Sequence, residues 1–289
     1  MINDITYHDK YLALPTRSTC WVLYYNKTLF DHAGIPYPSQ ITWDEYRTLA
    51  SSLTSEKNGQ KIWGGLFVDW LPNLIAIQHG QYLTDDNQNY SKESIAFFNT
   101  LYNIDQSHVS YEIMNKNNDS FPYELFESGS VAMELQGEWM INILLDDKTN
   151  VDWDIAPMPV DDDVPSGTTT GQYQLAGISS SCKYPEQAYA FLSFLSGKSG
   201  ASIYAQNAII PAYTDNDIIS LYTQATDKDS THYFFEAQKY SEQLPINGYS
   251  DTIISFSSAA DRYYSGQCTL DEAMADFNYD REEIFRKLK

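Results

Sequence analysis

Basic residues are scarce in this chain: 18 Lys and Arg stand against 39 Asp and Glu, for a formal net charge of −21 over 289 residues. A surface that acidic repels phosphate backbones and anionic bilayers, so nucleic acid and membrane surfaces are poor partners. Such acidity mostly serves solubility and points to no particular cationic partner. Cysteine is scarcer still. The three present, Cys20, Cys182 and Cys268, lie far apart, which excludes a disulfide framework and zinc-ligand spacing. The five histidines never pair at i, i+4, and the acidic run at 161–163 leads into Val-Pro without the spacing of a calcium loop, so no metal is expected. No apolar run approaches the ~18 residues of a membrane span, and residues 1–10 are polar, unlike a signal peptide. The catalytic signatures are missing too. There is no G-x-S-x-G elbow and no G-x-G-x-x-G, and Gly197-Lys198-Ser199 lacks the earlier glycine of a phosphate loop, because Leu192 holds its place. No cofactor and no catalytic residue is assigned. Carboxylates are plentiful, and a pair across a cleft would suit glycoside hydrolysis, so a carboxylate-dependent glycoside-processing enzyme is the alternative function.

What is present begins at residues 14–46. The CWVLYY run at 20–25 predicts one buried strand. Asn26 is placed to cap the next helix, Gly34 to end it in a left-handed residue, and Pro36 and Pro38 to forbid its continuation. Thr42 with Glu45 predicts a capping box opening a second helix. A strand this buried needs sheet neighbours, yet only nineteen residues precede it.

Further along, strands are predicted at 62–68, 131–135, 151–158 and 174–178. Helices are predicted at about 72–79, 91–105, 121–127 and 137–145, and residues 161–171 are expected to be loop. From 185 onward the pattern is helical, near 185–196, 198–206, 215–225, 229–240, 250–265 and 269–287. Alternating strands and helices followed by helices alone indicate an α/β architecture with helical additions.

Aromatics are abundant, with 6 Trp, 23 Tyr and 13 Phe, and several stand at junctions between elements. Asp69–Trp70, Glu138–Trp139 and Gln172–Tyr173 each set a flat apolar ring beside a hydrogen-bonding group, and Tyr249 lies in a loop before a helix. A sugar offers C–H faces to stack on such rings and a rim of hydroxyls for carboxylates and amides. Core packing explains each pair taken singly better than binding does. The three together, with Tyr249, favour a carbohydrate cleft.

At this point the chain resembles the extracellular solute-binding proteins of ABC sugar importers, the group that contains maltose-binding protein. The resemblance rests on LYYNKTLFDHAGIPYP followed by TWDEY, on FESGSVAM with its GEW ending, on WDIAPMP, on TTTGQYQLAGISSSCKYPEQAYAFLSFL and on GQCTLDEAMADF, in that order along nearly the whole chain. It implies a two-lobed, periplasmic-binding-protein-like (type II) α/β fold, with a complete C-terminal lobe and an incomplete N-terminal lobe. The implied divisions are 1–13 as remnant and hinge, 14–174 as the C-lobe, 175–245 as a helical part of the N-lobe, and 246–289 as the return to the C-lobe. Members carry a strand–helix–strand lobe before LYYNK, so a truncated product is the expectation. The inner face of the 185–196 helix (Ala188, Phe191, Leu192, Phe194, Leu195) would then need another cover. The resemblance also implies ligand contacts at Asp69, Trp70, Glu138, Trp139, Gly171, Gln172, Tyr173, Tyr249 and Asp251, with Arg17 and Thr19 on the first crossover. At Gln172 the family often has a second glycine. The implied function is a carbohydrate-binding receptor, with oligosaccharide as the expected ligand because several aromatics along one cleft suit more than one ring, that delivers it to ABC permease subunits. The intact protein would be a lipid-anchored extracellular or periplasmic monomer. A sensor or scaffold of the same fold is the remaining alternative.

Overall fold

The computed structural model describes residues 6–7, 10–57, 59–67, 70–116, 123–146 and 151–288. Its organising element is the strand Trp21–Asn26, buried along its whole length. Six consecutive buried residues require cover on both faces and partners on both edges. Met133–Gly137 pairs antiparallel on one edge, with Trp21 opposite Gly137 and Tyr25 opposite Met133. Trp153–Ala156 pairs antiparallel on the other. Leu66–Phe67 adds in parallel beyond Met133–Gly137 and completes a four-stranded sheet.

The local signals after this strand act as their chemistry requires. The Asn26 side chain accepts from the Leu29 amide, Gly34 ends the Lys27–Ala33 helix at φ 66°, and Thr42 with Glu45 forms a reciprocal capping box on Trp43–Leu53. The predicted helix at 91–105 runs as α-helix over Asn89–Asn99 and widens to a π-helix over Thr100–Ile104, burying Ile95, Phe98, Leu101 and Tyr102 as its periodicity requires. The last two helices, Tyr249–Tyr264 and Leu270–Lys287, pack through Phe256 and Phe277, whose ring centroids lie 4.9 Å apart.

Several expectations are corrected. Within the expected 161–171 loop, Thr168–Gly171 is a strand, and within the expected 229–240 helix, Gln238–Ser241 is another. The two pair in parallel, Thr168 opposite Gln238, so a tertiary partner overrides local propensity in both. Asp229–His232 and Tyr233–Glu236 keep only short helical turns. The polar stretch around residue 57 forms a hairpin of Ser55–Lys57 with Gln60–Ile62, which takes Ile62 out of the predicted 62–68 strand. Gly137, expected to open a helix, ends the Met133–Gly137 strand, and the helix starts at Met140.

A second small sheet joins Leu14–Ser18 antiparallel to Tyr173–Ala176. The buried cluster around the main sheet also takes in Ala201, Ala205, Ile218, Tyr222 and Phe234 from the later helices. On the Pro185–Ser196 helix only Leu192 is buried, while Phe191 and Phe194 are 63% and 44% exposed.

Glu134 lies at the centre of the sheet, wholly buried. Gln136 donates to its Oε1 at 3.3 Å, and Oε2 has no hydrogen-bond partner. Burial pushes this carboxyl up to about 8, partly opposed by the Gln136 bond. The unfolded chain therefore loses this proton first as pH rises. Stability from Glu134 should be full below pH ~4.5 and should fall until the native carboxyl ionises near 8. Denaturation midpoints measured from pH 5 to 8 should decline, and Glu134→Gln should flatten the decline. An unchanged slope in the variant would show that other groups set it.

Candidate ligand-binding cleft

The consecutive strands Thr168–Gly171 and Tyr173–Ala176 link two small sheets, the first pairing with Gln238–Ser241 and the second with Leu14–Ser18. Thr19, which follows Leu14–Ser18, is tied to Gln172 between the two consecutive strands. Its amide donates to the Gln172 carbonyl at 2.7 Å, and the Gln172 amide donates back to its hydroxyl oxygen at 2.7 Å. Gly171 is required by proximity, since a Cβ there would lie 2.3 Å from the Thr19 carbonyl oxygen.

The residues after Thr19 form an aromatic corner. Trp21 is fully buried and meets Trp139 and Trp70 edge-on, at centroid distances of 5.4 and 6.3 Å. Trp70 and Trp139 lie 6.4 Å apart at an interplanar angle of 40°, and Trp70 is 40% exposed. The Trp139 indole donates to the Tyr123 hydroxyl at 3.1 Å. A Cβ on Gly137 would sit 2.1 Å from the Trp139 ring, so glycine here leaves room for the platform.

Two carboxyls lie under this corner. Glu138 accepts from the Cys20 amide at 3.2 Å, and its other oxygen is 3.9 Å from the Arg17 guanidinium. Burial raises the Glu138 carboxyl to about 7, against the Cys20 amide and Arg17, which favour the charged form. Glu242 accepts from the Trp21 indole at 2.8 Å. Burial pushes it upward too, opposed by the Trp21 and Thr19 hydrogen bonds. Burial drives the Cys20 thiol up to about 12, which leaves it protonated and inert at neutral pH.

On the other side of the Thr19–Gln172 tie lies a groove of about 480 Å³, lined among others by Tyr82, Gln172, Tyr173, Lys239, Tyr240 and Gln243. Gly171, Gln172 and Tyr173 thus share one surface, and Tyr173 is 39% exposed. Tyr249 lies behind that surface, 2% exposed, with its ring edge-on to Tyr82 at 6.4 Å. Asp251 is exposed in the first turn of the Tyr249–Tyr264 helix, where a carboxylate suits the helix dipole, and it does not line the groove. Asp69 lies outside the described residues.

Arg17, Thr19, Trp70, Glu138 and Trp139 therefore surround one corner, and Gly171, Gln172 and Tyr173 the adjoining groove. Trp21, Tyr82, Tyr123, Lys239, Tyr240 and Glu242 escaped sequence reasoning. A signal existed for two of them, because Lys239–Tyr240 repeats the pairing of ring and polar group. It was hidden by the helical expectation for 229–240. Among the described residues no group of three or more His, Cys, Asp or Glu is arranged to hold a metal ion. Flat rings beside carboxyl, amide and guanidinium groups suit a ligand with apolar faces and a hydroxyl rim.

The model of the bacterial extracellular solute-binding proteins matches residues 2–202. The chain belongs to this family. An arabinooligosaccharide-binding protein of Halalkalibacterium halodurans is 28% identical over 143 residues, 47% of this chain and 32% of that protein. The chain thus aligns with about a third of that relative's length. The fold is that of a sugar transporter of Rhizobium etli solved in an open conformation. That match has a TM-score of 0.88 and 25% identity, covering 97% of this chain and 74% of that one. An ABC substrate-binding protein of Listeria monocytogenes, in complex with cycloalternan, shares the fold with a TM-score of 0.83 and 22% identity, covering 99% of this chain and 74% of that one. Family and fold agree with the periplasmic-binding-protein-like α/β class expected from the sequence motifs.

The Gly171 contact is testable. Gly171→Ala should push Thr19 and the crossover apart and cost about 1–3 kcal/mol, the usual range for overpacking. Urea denaturation should show a lower midpoint with an unchanged m-value. A wild-type midpoint would mean that the crossover yields without cost.

Proposed function

We propose that this chain holds the ligand for a carbohydrate receptor serving an ABC importer, with oligosaccharides as the ligand class. The carrying observation is the tilted Trp70–Trp139 pair, with Trp70 partly exposed, set beside Glu138 and Arg17. Two rings at an angle suit more than one sugar unit, because each presents its own stacking face. The arabinooligosaccharide-binding relative and the cycloalternan complex support the same ligand class.

The receptor binds and releases without turnover. Glu242 accepts from the Trp21 indole and serves the scaffold, while Glu138 spends one oxygen on the Cys20 amide and keeps the other, facing Arg17, without a hydrogen bond among the described residues. ABC permease subunits are the partners, and the extracellular or periplasmic face of the membrane is the place of action. A lipid anchor and a monomeric state belong to this reading of the intact protein. So does the division at 13, 174 and 245, which the exposed Phe191 and Phe194 support as surface suited to packing against another lobe.

Isothermal calorimetry with arabino-, gluco- and manno-oligosaccharides tests the reading. One series should bind with 1:1 stoichiometry, and Trp70→Ala and Trp139→Ala should each weaken it about tenfold, the scale of one lost aromatic contact. Chromogenic glycosides should release no product on prolonged incubation. Absence of binding to every saccharide, or unaltered affinity in both variants, would sink it.

A further inference from the structure

We propose that the groove beside the Thr19–Gln172 tie accepts a saccharide bearing one anionic group, a uronate, with Lys239 as its counter-ion. This deepens the carbohydrate-binding reading and rests on it. Among the described residues that line this groove, Lys239 alone is of the Lys, Arg, Asp or Glu types; the other walls are tyrosines, amides, a hydroxyl, leucines, glycine and proline. The Lys239 ammonium donates to the Ser18 hydroxyl at 3.1 Å. Among the described residues no carboxylate lies within ion-pair distance of it.

Lys61 and Lys228 also lack an ion-pair partner among the described residues, but their ammonium groups stand over the Trp63 and Trp153 rings. At the surface Lys92 pairs with Asp271, and Lys198 with Asp215 and Asp217. Lys239 is instead half-buried and held at the Ser18 end of a cavity. An ammonium has three donors, and Ser18 takes one. A partly desolvated cation without an anion is a cost that a charged ligand removes. The global negative charge does not forbid this, because screening beyond about 8 Å at physiological salt leaves the local cation dominant.

The geometry also selects within the anions. Tyr82, Tyr173 and Tyr240 around the groove provide faces for a sugar ring, and Gln172 and Gln243 provide amides for its hydroxyls. A carboxylate needs one positive partner. A phosphate ester at neutral pH carries close to two charges and three acceptor oxygens, and the described residues of the groove lining include no arginine to share them.

Calorimetry of this chain with an aldobiouronate, which carries a single uronate, the neutral disaccharide of the same linkage, and a hexose 6-phosphate tests the assignment. The aldobiouronate should bind at least tenfold tighter than the neutral disaccharide, and the advantage should shrink between 50 and 500 mM NaCl. Lys239→Gln should bring the acidic-to-neutral ratio close to one, and Lys239→Arg should restore it. Equal or tighter binding of the neutral sugar, or an undiminished ratio in Lys239→Gln, would overturn the proposal. Tighter binding of the phosphate ester would overturn the uronate assignment. The salt series on the wild-type chain decides the matter even if Lys239→Gln does not fold. Failure to bind any saccharide would instead remove the carbohydrate reading itself.

Discussion

The reciprocal hydrogen bonds between Thr19 and Gln172 hold two parts of the chain 153 residues apart at van der Waals contact. Everything in the cleft takes its position from them. On one side, Cys20 and Trp21 enter the main sheet and carry the aromatic corner with them. On the other, Gly171 and Tyr173 border the groove. The tie is short because residue 171 has no side chain, and a Cβ would collide with a backbone oxygen that cannot move alone. Backbone atoms satisfied in this way need no water, which leaves the surrounding polar side chains for a ligand.

The aromatic corner shows how packing and recognition share residues. Trp21 is core, with no exposed surface, and its indole hydrogen is spent on Glu242. Trp70 leans on it and remains partly open. A rigid inner ring therefore fixes the angle of an outer ring. Such support lowers the ordering cost of binding, because the platform exists before a ligand arrives.

How much of this was legible depended on the range of the interactions. Residues 26–46 announced themselves fully, since caps, a left-handed glycine and prolines act within a few positions. Trp70, Glu138, Trp139 and Gln172–Tyr173 were legible as rings beside polar groups at element ends. Thr168–Gly171 and Gln238–Ser241 were not, because each is short and polar and becomes a strand only through a partner about seventy residues away. Lys239 and Glu242 were lost with that strand. Trp21 was visible only as a core residue, since its meeting with Trp70 and Trp139 depends on the fold of three separate segments. Tyr249 and Asp251 show the opposite limit. They were expected in a ligand-facing loop, but both lie in the first turn of the helix Tyr249–Tyr264, one buried behind the groove wall and the other in solvent.

Glu138 sits at the floor of this corner with a carboxyl that titrates near neutrality. A carboxyl raised this far by burial is charged for a fraction of the time that its surroundings set. Any event that seals the corner from water, or that changes the distance to Arg17, shifts that fraction and exchanges protons with the medium. Heat measured on ligation would then depend on the ionisation enthalpy of the buffer, and the proton count so obtained would report on the cleft floor without any label.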